Sequence, residues 1–306
     1  MVGNLKSPIT QRILDSYESI VGSPDDANIL FLHTVLAQVG LPYRQPPQGS
    51  TIYEKQVGYA SMVVQSGHLM DPQSGKMVQQ GLPFGSKPRL LMIDLCSQAV
   101  KKQSPKIEIA NSMSAFMKEL GLKVTGGKTG TIATFKEQMN RLVASHITLG
   151  MFYPHGGATT LPSVNPISQM DVWFPDDPSQ KMLWQSEITL NYDFFQSLMN
   201  HAVPMDNRAI RSLQHSSRAL DIYLWLVYRL PQLKRSTKIS YSGLQSQFGD
   251  DKQDPKTFKR LFNTAMNQAL VVYPEAKVDS VDGGIIIHPS RPVIGKKPSV
   301  QITKNP

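Results

Sequence analysis

Residues 255–271 combine a regular apolar pattern with a polar face suited to binding a polyanion. Apolar side chains recur at helical spacing and predict a buried stripe of Phe258, Leu261, Phe262, Ala265, Ala269 and Leu270. The opposite face supplies the predicted contact residues Lys256, Thr257, Lys259, Arg260, Asn263, Thr264 and Asn267. Arginine presents a forked donor to guanine and asparagine matches adenine, whereas lysine and threonine commonly bind phosphate. The segment is therefore predicted to bind phosphates and base edges in a DNA groove.

The two ends of this segment are also encoded in the sequence. Asp254 is a favourable helix cap, and Pro255 suits the first helical position. Lys256 and Thr257 then lie at the helix N-terminus, where backbone N–H groups favour phosphate. Two strands are predicted after the helix, at 276–281 and 284–288, with a turn between them. The pattern predicts a contact helix that is braced by a hairpin.

A second helix of this kind is predicted at 131–144, with a thinner contact face. Its predicted buried side chains are Ile132, Phe135, Met139 and Leu142. Its predicted contact residues are Lys128 in the preceding turn, then Thr131, Thr134, Gln138 and Arg141, and Thr129 and Lys136 belong to the same polar face. Glu137 falls within the same arc and would repel phosphate, so we expect the later helix to carry more of the sequence reading. An ordinary solvated face is the alternative interpretation for both helices.

Each contact helix belongs to one copy of a repeated pattern. The first copy reads as a helix at 88–102, a strand at 106–109, a small helix from 112, the helix 131–144, and strands at 146–153 and 169–174. The second copy reads as a helix at 217–230, a strand at 238–241, a small helix at 242–249, the helix 255–271 and the closing hairpin. This order is that of a winged helix-turn-helix. We therefore predict an α+β fold with two tandem winged helix-turn-helix domains.

Four regions follow from this pattern. Residues 1–87 are predicted to be a helical and β extension that packs on the first domain, with helices at 8–20 and 26–39. Residues 88–175 form the first winged-helix domain, and 176–290 form the second, which is the main DNA reader. Residues 291–306 are predicted to be a disordered basic tail.

The charge distribution supports a polyanionic partner. Net charge is +9, and residues 1–206 hold 16 Lys and Arg against 16 Asp and Glu. Residues 207–306 hold 16 basic against 7 acidic residues, so the whole excess lies in the last hundred residues. Segregated positive charge is typical of a surface that binds a polyanion. Charge alone does not separate DNA from RNA or from anionic lipid.

The remaining sequence features argue against a membrane protein, a metal site and a P-loop nucleotide-binding site. The apolar runs are too short for a membrane span and the N-terminus lacks a signal-type core, so we predict a soluble cytoplasmic protein without a membrane partner. Cys96 lies in an apolar helical pattern and is predicted to be a core thiol. The histidines show no metal-ligand spacing, and the glycine-rich turn before Lys128 lacks the spacing of a P-loop. No catalytic residue, metal or cofactor is predicted, and we expect a non-enzyme.

The phrases ALDIYLWL and VVYPEAKV, with ISYSGLQSQFG before the contact helix, resemble the RepA-type replication initiators of bacterial plasmids. The earlier FLHTVLAQVGLP and GLPFGSKPRLLMIDLCSQAV are similar to the same proteins, so the resemblance runs from about 29 to 290. It implies a protein that binds repeated double-stranded sites at a plasmid origin, helps open the duplex and recruits a host replicative helicase or initiator. It also implies a homodimer in equilibrium with a monomer, association with the plasmid or nucleoid, and no catalytic residues.

Two other functions fit part of the same pattern. A transcriptional repressor or partition-type protein of the same fold would share the physics of the contact helices. An enzyme such as a relaxase or primase would need a metal cluster of histidines or carboxylates, which the sequence does not show. The sequence leaves open whether the first domain binds DNA or mediates dimerisation, and it does not define the DNA site.

Overall fold

The computed structural model describes residues 8–23, 28–71, 74–109, 112–127, 129–152, 157–164, 167–171, 187–250 and 253–295. Its helices are α1 (Pro8–Gly22), α2 (Thr34–Gln38), α3 (Ser86–Lys102), α4 (Met113–Glu119), α5 (Thr131–Ala144), α6 (Tyr192–Asn200), α7 (Asn207–Leu213), α8 (Ser217–Arg229), α9 (Tyr241–Phe248) and α10 (Pro255–Val271). Its strands are β1 (Ile29–His33), β2 (Ile52–Val57), β3 (Ala60–Gln65), β4 (His68–Met70), β5 (Met77–Gln79), β6 (Lys106–Glu108), β7 (His146–Phe152), β8 (Ala158–Val164), β9 (Ile167–Asp171), β10 (Glu187–Leu190), β11 (Ala202–Asp206), β12 (Thr237–Ser240), β13 (Val278–Val281) and β14 (Gly284–Ile287). This mixture of helices and antiparallel strands confirms the α+β class.

The described strands form small antiparallel sheets that lie among the helices. The largest has the order β2-β3-β7-β8, and two three-stranded sheets have the orders β6-β10-β9 and β12-β14-β13. Two further pairs are β1 with β11 and β4 with β5. Because β1 and β11 are far apart in sequence, their pairing ties the N-terminal region to the segment that leads into α7.

The predicted repeat is visible in the order of elements and in the pairing of strands. We call α3, β6, α4, α5, β9 and β10 the first unit, and α8, β12, α9, α10, β13 and β14 the second unit. In each unit the last strand lies at the centre of the sheet, between the first strand and the remaining one. The two units therefore have the same order of helices and the same order of strands.

The first unit differs from the prediction in which strands form its terminal pair. Residues 146–153 and 169–174 were expected to pair, and this prediction is wrong because β7 pairs with β3 and β8 instead. In β7, Ile147 and Leu149 lie opposite Val64 and Met62 of β3, and all four side chains are buried. The apolar face of β7 is buried by pairing within the four-stranded sheet. In the sequence, β7 and β8 of this sheet therefore lie between α5 and β9.

The partner of β9 is β10, which also pairs with β6. Strand β10 lies within 176–290, the region predicted to be the second domain. Its pairing therefore crosses the predicted domain limit at 175, while the three limits between the four predicted regions stay a prediction. Residues 172–186, including the end of the predicted strand 169–174, lie outside the described residues.

The predicted helix at 26–39 is only partly correct. Residues 29–33 form β1, and the helix α2 covers Thr34–Gln38 alone. The run ILFLH suits a strand as well as a helix, and five pairings to β11 decide in favour of the strand. His33 ends the strand and caps α2, because its Nδ1 atom accepts a hydrogen bond from the Val35 backbone N–H at 3.2 Å.

Helix α1 confirms the predicted helix at 8–20, and it packs against α7 and α10. The Arg208 guanidinium fixes the end of α1, because Nη1 donates to the carbonyls of Ser19 at 2.7 Å and Ser23 at 2.9 Å. Arg208 is held in turn by both carboxylate oxygens of Asp206. The N-terminal helix therefore lies beside α10 of the second unit, while β1 of the same predicted extension packs on α3 of the first unit.

The cores of the two units meet between the apolar helices α3 and α8. Cys96 on α3 is fully buried, and burial raises the pKa of its thiol to about 12, which confirms the predicted core thiol. Trp225 on α8 is 5% exposed, as expected for a core tryptophan. Residues 219–227 of α8 are all buried, so this helix forms the packing centre on which α2, α3, α7 and α10 converge.

Candidate nucleic-acid interface

Helix α10 begins where the sequence predicts, with Asp254 as its cap. The Asp254 carboxylate accepts hydrogen bonds from the backbone N–H groups of Lys256 at 3.0 Å and Thr257 at 3.1 Å. Hydrogen bonds from Thr257 hold the pKa of Asp254 below its usual value, and the hydrogen bond from the Lys256 backbone has a smaller effect in the same direction. Two N–H groups expected to favour phosphate are thus occupied by a carboxylate. At this end of the helix, phosphate binding would fall to the side chains rather than to the backbone.

The buried face of α10 is close to the prediction. Phe258 and Phe262 are fully buried, with ring centroids 5.5 Å apart, and Phe262 also lies 5.8 Å from the ring of Phe248 on α9. Leu261 and Leu270, which were expected to be buried, are half-exposed, whereas Met266 is a buried residue that the pattern missed. The aromatic packing fixes the rotation of α10 and so determines which residues face outward.

All seven predicted contact residues of α10 lie away from this core. Five are exposed and two are half-buried: the exposed residues are Lys256, Lys259, Arg260, Thr264 and Asn267, and the half-buried ones are Thr257 and Asn263. Among the residues that the structure describes, no hydrogen bond or ion pair engages the Arg260 guanidinium. We call this group of seven residues the α10 outer face. It offers a forked donor, amides, hydroxyls and two ammonium groups on one surface.

Tyr241, at the start of α9, organises part of the α10 outer face and was missed by the sequence analysis. Its hydroxyl donates to Asn263 Oδ1 at 3.2 Å, and the Lys259 ammonium lies 4.8 Å from the centre of its ring. These contacts restrict the rotamers of Lys259 and Asn263 before any ligand binds. No periodic signal marks Tyr241 in the sequence, because its role depends on the crossing of α9 and α10.

The corresponding helix of the first unit, α5, does not present the predicted face to solvent. Gln138 is 5% exposed, and its Oε1 atom accepts a hydrogen bond from the Phe84 backbone N–H at 2.8 Å. Arg141 donates to the Leu82 carbonyl at 3.1 Å and to Glu137 at 2.6 Å, and its guanidinium lies over the Phe84 ring at 5.2 Å. The prediction that Gln138 and Arg141 are exposed contact residues is wrong, because the chain segment before α3 covers them.

The other predicted residues of the first unit are engaged within the protein or lie outside the described residues. The Thr131 hydroxyl donates to the Lys123 carbonyl at 2.6 Å, and it accepts from the Thr125 backbone N–H at 2.8 Å. Thr134 is half-buried and accepts a hydrogen bond from the Lys87 ammonium, whose pKa is lowered by burial. Lys128 lies outside the described residues. The apolar run Leu82-Pro83-Phe84 is the sequence signal that could have predicted this covering of α5, because apolar side chains in a loop need a surface on which to be buried.

The part of the chain that the structure describes contains neither a cluster of potential metal ligands nor a helix suited to cross a membrane. No group of three or more His, Cys, Asp and Glu side chains there could hold a metal ion. None of the helices described there has both the length and the apolar character needed to cross a membrane.

Comparison with known families now assigns the chain. Residues 82–242, more than half of the 306 residues, match the family model described as plasmid encoded RepA protein. The chain belongs to this family. The match confirms the resemblance that the sequence phrases indicated, and it identifies a RepA-type plasmid replication protein. No curated protein and no solved structure gives a significant match.

The extent of the family match differs from the extent of the α10 outer face. The matched residues contain the first unit, then α7, α8 and β12, and they end at the start of α9. Helix α10 and the hairpin of β13 and β14 follow the matched stretch. The family therefore assigns the role in plasmid replication, while the contact face of α10 stands on its own geometry.

Proposed function

We propose that the chain is a non-enzymatic initiator of plasmid replication that binds repeated double-stranded sites at the origin and reads them through α10. The observation that carries the proposal is the α10 outer face, on which an unpaired guanidinium, amides and ammonium groups lie together over a rigid aromatic core. Membership of the RepA family supports the link to plasmid replication. We extend the proposal to opening of the duplex and to recruitment of a host helicase or initiator, again because the chain belongs to the RepA family.

The two units are proposed to be winged helix-turn-helix domains. In the second unit, α9 and α10 pack on α8, and the hairpin of β13 and β14 follows α10. In such a domain the later helix lies in the major groove, where arginine reads guanine and asparagine reads adenine. Arg260 and Asn263 are three residues apart and face the same side of α10, as two reading residues in one groove must.

The wing of the second unit is less suited to DNA than α10 is. The wing carries Asp279, whose side chain is 68% exposed and pairs with His288 at 2.9 Å, and the exposed Asp282 at its turn. The turn lies against α9, because the Tyr241 backbone N–H donates to the Gly283 carbonyl at 2.9 Å. Carboxylates at this position repel phosphate, so the charge pattern supports reading by α10 rather than by the wing.

The first unit is proposed to contribute less to reading. Four of its five predicted contact residues are held by internal hydrogen bonds, and the fifth lies outside the described residues. Because its α5 face is covered by residues 82–87, DNA could approach it only after that segment moved. A homodimer surface on the first unit agrees with this arrangement and stays part of the proposal.

Substitutions on α10 test the reading role. Arg260→Ala and Asn263→Ala are each expected to cost about 1–3 kcal/mol of binding free energy for the specific site and much less for random DNA, because base contacts carry the sequence information. Lys259→Ala should weaken both kinds of DNA about equally, since a phosphate contact is blind to sequence. Binding is measured by fluorescence anisotropy with a labelled origin repeat and a shuffled duplex.

Three control variants accompany this scan. Lys136→Ala removes an exposed cation from α5 and should leave the specific-to-random ratio unchanged. Tyr241→Phe removes only the hydroxyl that binds Asn263, so it separates loss of the amide from loss of its positioning. Phe262→Ala should lower thermal stability, because it empties a fully buried position of the core. If Arg260→Ala and Asn263→Ala bind the repeat as tightly as the parent, α10 is not the reader.

Footprinting on the plasmid region that flanks the coding sequence separates the initiator from its alternative. Directly repeated protected sites beside an A·T-rich stretch would support the initiator. A single protected inverted repeat over a promoter would support a transcriptional repressor or partition-type protein and contradict the proposal.

A further inference from the structure

Tyr43, in the loop between α2 and β2, lies between charged groups of both units. Its ring centre is 5.1 Å from the guanidinium carbon of Arg89 on α3 and 4.9 Å from that of Arg218 on α8. The Lys55 ammonium lies 5.8 Å from the same ring. Burial, followed by the charge of the Asp221 carboxylate of α8, raises the pKa of the Tyr43 hydroxyl. One aromatic side chain outside both units thus contacts the first helix of each.

Arg218 connects this ring to the start of α10. Its Nε atom donates at 2.9 Å to the carbonyl of Phe248, the last residue of α9. Its Nη2 atom donates to Asp250 and to the Gln253 side chain, both at 3.3 Å. Gln253 immediately precedes the cap Asp254, and its carbonyl accepts from Gln245 at 2.6 Å. The side chain of Arg218 is 12% exposed, so these bonds form where water competes little.

Arg89, the second guanidinium beside the Tyr43 ring, is also held by short hydrogen bonds. Arg89 binds both carboxylate oxygens of Asp221, at 2.7 and 2.8 Å, and it donates to the Leu41 carbonyl at 2.5 Å. Gly40 passes so near Asp221 and Arg89 that a Cβ atom there would clash with both side chains. The loop that carries Tyr43 is therefore fixed to the joint between α3 and α8.

We infer that Tyr43 is a positioning residue, which sets the placement of α10 through Arg218 and couples the DNA-reading helix to the first unit. The inference rests on the proposed reading role of α10, which it deepens. Tyr43 itself lies away from the α10 outer face, so it acts through the turn between α9 and α10. A cation–π contact in a desolvated site is strong enough to bias the position of this turn.

The test compares Tyr43→Leu, which removes the aromatic ring, with Tyr43→Phe, which retains it. Tyr43→Leu is expected to weaken binding to the origin repeat about tenfold, the effect of losing one desolvated cation–π contact, with a smaller effect on random DNA. Tyr43→Phe should remain within about twofold of the parent, since the ring still meets both guanidinium groups. Arg218→Met should weaken binding at least as much as Tyr43→Leu, because it removes the cation–π contact and also the three hydrogen bonds to Phe248, Asp250 and Gln253.

Hydrogen exchange of the backbone amides gives a readout that does not depend on DNA. Tyr43→Leu should speed exchange in residues 253–260 while the amides of α3 and α5 keep the protection of the parent. Unchanged exchange in 253–260 would overturn the inference. An equal loss of protection throughout the chain, with a lower melting temperature, would also overturn it, because Tyr43 would then be an ordinary core residue.

Arg260→Ala, measured in parallel, keeps the two hypotheses distinguishable. If Arg260→Ala weakens specific binding but Tyr43→Leu does not, the reading role stands and the positioning role is wrong. If Arg260→Ala has no effect, the reading role of α10 is wrong, and the exchange of residues 253–260 still decides whether Tyr43 positions this helix.

Discussion

Binding of the origin repeat is expected to weaken by roughly 10³-fold or more when salt rises from about 50 to about 200 mM, since each neutralised phosphate releases a counterion. The reason is the distribution of charge, because residues 207–306 hold 16 basic against 7 acidic residues. On α10, Lys256, Lys259 and Arg260 lie on one exposed face. The measurement is the dissociation constant of a labelled duplex across a salt series, from which the logarithmic slope is taken.

A matched pair of variants sharpens the salt experiment. Lys259→Ala should reduce the slope by about 1, because one phosphate contact is lost. Lys136→Ala on α5 also removes an exposed cation, but from a helix whose contact face is covered, and it should leave the slope unchanged. A flat salt response together with tight binding would contradict the basic-face interpretation of α10. Equal slopes for the parent and Lys259→Ala would place Lys259 away from phosphate.

Helix α10 could be predicted well because its signals are local. A cap, a proline at the first position and a helical apolar pattern all act within one segment, and packing of Phe258 and Phe262 reinforces them. The α10 outer face follows, since the residues opposite a buried stripe face outward when no other segment of the chain covers them. For this reason none of the seven predicted contact residues of α10 is buried, with five exposed and two half-buried.

Strand pairing could not be predicted in the same way, because it depends on partners far apart in sequence. The ILFLH segment is apolar enough for either state, and β11, more than 160 residues away, decides that it is a strand. Likewise, β7 alternates as a wing strand would, but besides the following β8 it pairs with β3, which lies far earlier in the chain. A period of two shows that a strand exists and does not identify its partner.

The contact face of α5 shows a related restriction on what can be predicted about a site. Gln138 and Arg141 have the residue types of a DNA contact, but Gln138 follows Phe135 by three residues and precedes Leu142 by four, so helical periodicity places it at the edge of the buried stripe. Their burial comes from Leu82 and Phe84, which lie more than fifty residues earlier. A polar face is therefore predicted to be free only as long as no other segment of the chain covers it.

The joint between the two units carries the second large prediction. Arg89→Met is expected to lower the free energy of unfolding by ~3–5 kcal/mol, because it leaves the buried Asp221 carboxylate without its partner. The two side chains are only 5% and 8% exposed, and they are joined by two hydrogen bonds of 2.7 and 2.8 Å. Although burial opposes its charge, the Asp221 carboxylate raises the pKa of Arg89 above the usual value. Urea denaturation followed by circular dichroism measures the change.

The double variant Arg89→Met with Asp221→Leu separates the charge from the packing. Removing both charges should recover part of the lost stability, because no buried carboxylate remains, and a double-mutant cycle gives the coupling. Recovery should be incomplete, since Arg89 also donates to the carbonyls of Leu41 at 2.5 Å and Gly85 at 2.6 Å, which would lose their donor. A double variant no more stable than Arg89→Met would show that the guanidinium matters through these carbonyls rather than through Asp221.

An exposed ion pair provides the control for this cycle. Lys106 and Glu187 join β6 to β10 at 3.5 Å, with side chains that are 66% and 37% exposed. Lys106→Met should change the free energy of unfolding by no more than about 0.5 kcal/mol, because water already screens both charges. If Arg89→Met proved as mild as Lys106→Met, the carboxylate of Asp221 would have to find water or another donor when Arg89 is lost. The joint between α3 and α8 would then be open enough for the two units to move against each other, and the rigid coupling of Tyr43 to α10 would lose its physical basis.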